Sequence, residues 1–69
     1  MICPRCQQDE IVVAEIKATG AVIYVCPECD ATWLLKDEIS SERFLDCGTL
    51  MKGMGLSQLW DELKVIGTI

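Results

Sequence analysis

Apolar positions change their period along the chain. Ile11-Val12-Val13-Ala14-Glu15-Ile16-Lys17 and Ala21-Val22-Ile23-Tyr24-Val25 are short runs rich in β-branched residues, the composition of strands rather than helices. Ala18-Thr19-Gly20 lies between them and ends in glycine, so the two runs read as a β-hairpin. Thr32-Trp33-Leu34-Leu35 continues the strand-like pattern as a third strand. Beyond residue 40 the spacing lengthens: Phe44, Cys47, Leu50, Met51 and Met54 recur at intervals of three and four, the stripe of an amphipathic helix. Ser40 or Ser41 is the expected cap and Gly53 the expected stop. After the Gly53-Met54-Gly55 break, Ser57 is expected to cap a shorter helix. It would carry Leu59, Trp60, Leu63 and Ile66 on one side and end at Gly67. The pattern predicts a small α+β fold, a three-stranded antiparallel sheet over residues 1–39 and two short α-helices over 40–69. The helical hairpin would pack on the sheet to make one domain of 1–69.

Length sharpens that picture. A chain of 69 residues, 51% hydrophobic and 25% charged, seldom gains more than about 3–5 kcal/mol from its core alone, so a covalent or metal staple is expected. No run approaches the ~18 apolar residues of a membrane span. Met1-Ile2-Cys3-Pro4-Arg5-Cys6 lacks the basic-then-apolar layout of a secretory signal, so a cytoplasmic protein is expected. The many apolar side chains after residue 40 also leave room for a homodimer.

The cysteines supply the staple. Cys3-Pro4-Arg5-Cys6 and Cys26-Pro27-Glu28-Cys29 are two C-x-x-C pairs separated by 19 residues, a zinc-site spacing. Each turn can aim two sulfurs at one point, and its proline stiffens it before metal arrives. The hairpin between the pairs would bring the two turns together. One structural Zn²⁺ on Cys3, Cys6, Cys26 and Cys29 is the favoured reading. Iron in a rubredoxin-like site suits the same donors, and disulfides or a redox-active C-x-x-C are weaker alternatives. With no histidine in the chain the shell is all thiolate, and four thiolates leave no open catalytic position. Cys47 stands apart and reads as a small buried hydrophobe.

These motifs resemble the transcription-factor-B-type zinc ribbons of small bacterial proteins. The likeness runs from Cys3 to Ile39 and rests on the two knuckles, the β-rich middle, Trp33 four residues beyond the last cysteine, and Asp37-Glu38-Ile39. It implies the ribbon fold and the four cysteines as metal ligands, but no particular function, because such ribbons sit on unrelated proteins. Members usually place glycine directly after each knuckle, where backbone φ is often positive. Gln7 and Asp30 stand there in this chain. Asp tolerates the left-handed region better than Gln, so the first knuckle is expected to be looser or differently turned.

Charge points to the partner. Six Lys and Arg against eleven Asp and Glu give −5, and neither half of the chain is basic. Four thiolates and one Zn²⁺ together add −2, taking the loaded chain to about −7. Such a surface repels a polyanion and favours a basic protein. Without a nucleophile–base pair or a phosphate-binding loop, the expectation is a non-catalytic protein-binding module. Its sharpest form is an immunity or antitoxin-like inhibitor that occludes a basic toxin nuclease. The alternative is a nucleic-acid-binding ribbon associated with transcription or translation, which the acidity disfavours. Trp60 with Asp61 and Glu62, and the pair Asp37 and Glu38, are the candidate partner-binding residues.

Overall fold

The computed structural model describes residues 1–57 and 60–69. Its centre is a five-stranded antiparallel sheet in the order β4-β3-β2-β1-β5. The strands are β1 (Val12–Ile16), β2 (Val22–Val25), β3 (Ala31–Trp33), β4 (Leu45–Asp46) and β5 (Leu63–Thr68). The expected hairpin is present, with Val12 opposite Val25 and Glu15 opposite Val22. Gly20 closes it at φ 76°, a conformation that suits glycine, and its N–H donates to the Ile16 carbonyl at 2.7 Å. β3 pairs with β2 through Tyr24–Trp33 and Val25–Thr32.

Side chains alternate across the pleat. Ala14, Ile16, Ile23 and Val25 form one buried cluster with Cys47, Met51 and Leu63, and Leu56 and Trp60 pack against it. The second cluster lies at the knuckles, where Cys3, Ile11, Cys26, Ala31 and Trp33 are buried with Tyr24, Ile39 and Ile69 beside them. Its members include two of the four knuckle thiols, and the other two, Cys6 and Cys29, border it. Ile11 is held there by both flanking segments, donating to the Met1 carbonyl at 2.9 Å and accepting from the Ile69 N–H at 3.3 Å.

The second half of the chain differs from its pattern. The single α-helix among the described residues, α1 (Cys47–Gly53), begins well after Ser40 and Ser41. Asp46 is its N-cap, with Oδ2 accepting from the Thr49 N–H at 2.9 Å and the Thr49 hydroxyl at 3.1 Å. Ser40 still accepts from the Arg43 N–H at 3.1 Å, but the chain then extends so that Leu45 pairs with Thr32 and Asp46 with Ala31. Phe44 therefore lies outside the helix, and Cys47 and Met51, one turn apart, make its buried face. The helix ends at Gly53 as expected, and the left-handed glycine that terminates it is Gly55. At φ 74° Gly55 donates to Lys52 O at 3.0 Å, and Leu56 donates to Met51 O at 2.9 Å, the Schellman pattern of helix termination.

The second expected helix is replaced by a strand. A short 3₁₀ turn, Trp60–Glu62, leads directly into β5, which pairs with β1 from Ile16–Leu63 to Val12–Thr68. Spacing over a short apolar run does not separate helix from strand. Val65, Ile66 and Thr68 are β-branched, Gly67 is a poor helix former, and the open edge of β1 offers backbone partners. Leu59, assigned to that helix in the sequence, lies outside the described residues.

Candidate metal centre

Two turns of the same construction carry the cysteines. In the first, Gln7 N–H donates to Cys3 O at 3.0 Å; in the second, Asp30 N–H donates to Cys26 O at 2.9 Å. Each closing residue has a left-handed backbone, φ 57° at Gln7 and 62° at Asp30. The first knuckle is thus turned like the second, and glutamine occupies the strained position regardless. A further pair of bonds ties each turn to the segment after it, Cys3 N–H to Asp9 O ahead of β1 and Cys26 N–H to Ala31 O at the start of β3, both at 2.9 Å. The hairpin then sets the two turns face to face.

The four sulfurs converge. Their Sγ atoms all lie within 4.8 Å of one another, with Cys3 to Cys29 at 3.8 Å and Cys6 to Cys26 at 3.5 Å. Four thiolates about 2.3 Å from a tetrahedral ion stand about 3.8 Å apart, so the cluster has the dimensions of a single four-coordinate site. Cys3 and Cys26 are buried and Cys6 and Cys29 half-buried. The residues present could hold one metal ion, and the soft all-sulfur donor set suits zinc or iron.

Electrostatics divide the thiols. Burial pushes Cys3 up, but backbone N–H groups of Cys6 and Arg5 and the thiols of Cys26 and Cys29 outweigh it, bringing Cys3 down to about 7. Burial dominates at Cys26, which is pushed up to about 12, and it raises Cys29 as well. Protons crowded among four sulfurs are what a cation would displace.

Residues beside the cysteines tie the knuckles to the rest of the fold. Arg5 donates from Nη1 to Cys29 O at 3.1 Å, and its guanidinium carbon sits 4.2 Å from the centre of the Phe44 ring. Asp30 accepts through its carbonyl from Cys47 N–H at 3.0 Å and from the Thr32 hydroxyl at 3.1 Å. Its carboxylate accepts from the Trp60 indole at 3.3 Å. Arg5 and Asp30 were not expected in these roles. Their sequence signal is position alone, one inside a knuckle and one closing a knuckle.

The remaining candidates fall elsewhere. Trp60 is half-buried on the larger core cluster, Asp61 is exposed and Glu62 half-buried, all on the turn into edge strand β5. Asp37 and Glu38 are exposed on a 3₁₀ turn, Lys36–Glu38, after β3. The two groups are therefore carried by elements toward opposite edges of the sheet. Cys47 is 2% exposed within the core, and burial raises its thiol above the ordinary value. No helix among the described residues is long and apolar enough to cross a membrane. Comparison with protein-family models, with curated proteins and with solved structures gives no match to this chain.

Proposed function

We propose that the chain is a zinc ribbon of the transcription-factor-B type that holds one structural Zn²⁺ and serves as a non-catalytic, acidic protein-binding module. The observation that carries this reading is the closed Cys3, Cys6, Cys26 and Cys29 cluster. Four thiols complete a tetrahedral shell, so the metal would fix the fold and leave function to the surface. That surface belongs to a chain of net charge −5, which attracts basic proteins and speeds their docking. The most specific form of the proposal is an immunity protein, cytoplasmic, whose carboxylates cover the phosphate-binding groove of a basic toxin nuclease.

Purification from the native host followed by mass spectrometry of what co-elutes tests the reading. A basic protein is expected, in a complex whose association slows as salt rises. Recovery of nucleic acid, or of a partner bound equally well at high salt, would overturn it.

A further inference from the structure

Three of the large apolar side chains that the fold leaves outside its core gather around one feature. Leu34 is 50% exposed, Phe44 38% and Leu45 43%, all beside the junction of β3 and β4. Between them lies a groove of about 270 Å³ lined by Trp33, Leu34, Phe44 and Leu45, with Glu38 and Arg43 among its polar walls. Apolar surface gathered in a concave place marks an interaction site.

The groove has the size and the position to take a peptide. Pockets for small molecules run from about 300 to 1,000 Å³; this one is smaller and open at the edge of the sheet, room for an apolar side chain rather than a cofactor. Among the described residues β4 pairs with β3 alone, so its other side offers backbone groups to an added strand. A segment laid there would drop alternate side chains toward the groove. Charge selects the occupant. The exposed acids Asp37, Glu38, Glu42 and Asp46 outnumber the exposed bases Lys36, Arg43 and Arg5, the last stacked on Phe44, within a chain of −5. Net negative charge opposes a second copy and an anionic membrane, and favours a cationic segment.

We infer that this groove is the docking site for an extended basic–apolar segment of the partner, adding beside β4, with an apolar side chain in the groove and a Lys or Arg against Glu38. The inference rests on the proposed protein-binding function and assigns its surface to Asp37 and Glu38 rather than to Trp60, Asp61 and Glu62.

The test is an amide-shift titration of the ¹⁵N-labelled, metal-loaded chain with short capped peptides: Lys alternating with Leu, Lys alternating with Gly, and Glu alternating with Leu. The Lys–Leu peptide is expected to move the amides of Thr32–Leu34, Glu38 and Arg43–Leu45. Leu34→Glu, at an exposed position, should weaken binding about tenfold or more, with the cobalt-loaded absorption spectrum unchanged to show an intact fold. Glu38→Gln should weaken Lys–Leu binding and strengthen any residual Glu–Leu binding. If both Lys peptides move amides only outside the groove, the groove assignment fails while the basic-partner reading stands. If Glu–Leu binds the groove as tightly as Lys–Leu, the charge argument fails. Groove shifts that follow protein concentration without peptide would make a second copy the occupant and overturn the inference, as would no shift with any peptide.

Discussion

Gln7 and Asp30 adopt nearly the same left-handed backbone, φ 57° and 62°, for different returns. Gln7 is exposed, whereas the Asp30 side chain holds the Trp60 indole. A β-carbon in this region costs roughly 1–2 kcal/mol, less what glycine loses through its freer unfolded state. Gln7→Gly is therefore expected to stabilise the loaded protein by about 0.5–1 kcal/mol in denaturant titrations. Asp30→Gly should gain nothing, because the part-buried indole loses its acceptor, while Asp30→Asn should be close to neutral. A second residue-scale expectation concerns Asp46. Bonds from the Thr49 N–H and hydroxyl hold its carboxyl below the ordinary value. Its charge then stabilises the fold above the ordinary carboxylate range, and that contribution is lost as pH falls through the lowered value. Asn caps helices nearly as well as Asp, so Asp46→Asn isolates the charge. The variant should be the less stable form near neutrality, and the difference should vanish in acid.

At the scale of elements, the first half of the chain was legible and the second was not, for identifiable reasons. The knuckles, the hairpin and β3 are local: spacing, β-branching and a turn glycine specify them, and the observed strands lie within a residue or two of the runs that predicted them. β4 and β5 exist through long-range pairing, Leu45 with Thr32 and Leu63 with Ile16, which no local pattern records. Two serines outshone Asp46 as a cap, although Asp46 and Thr49 have the spacing of a capping pair. The quartet of cysteines was readable in full, whereas the groove at β3–β4 was invisible because β4 builds it. One element has a testable dependence on the metal end. Phe44 is held against Arg5, which is itself anchored on Cys29 O. Arg5→Ala should loosen residues 43–46, shown by faster amide exchange at Leu45 and a shifted Phe44 ring resonance, with metal stoichiometry unchanged. Equal protection at Leu45 in both proteins would show that the contact carries no weight.

Across the whole molecule, the proposed metal would decide whether there is a fold. Without the cysteines, the knuckle-end cluster retains only Ile11, Ala31 and Trp33 as buried members, too little to close that end of the sheet. Structural zinc contributes on the order of 10–16 kcal/mol in apparent binding free energy at neutral pH, far above what so small a core supplies. Because the thiols of an unfolded chain keep their protons at pH 7, loading should release more than one proton per ion, read with an indicator dye. Affinity should accordingly fall as the solution is acidified. The most direct test is a Zn²⁺ titration of the reduced, metal-free chain followed by its ¹H–¹⁵N spectrum. The expected result is a collapsed, unfolded spectrum that converts to a dispersed one and saturates at one ion per chain. A dispersed spectrum before any metal is added, or saturation at another stoichiometry, would contradict the account.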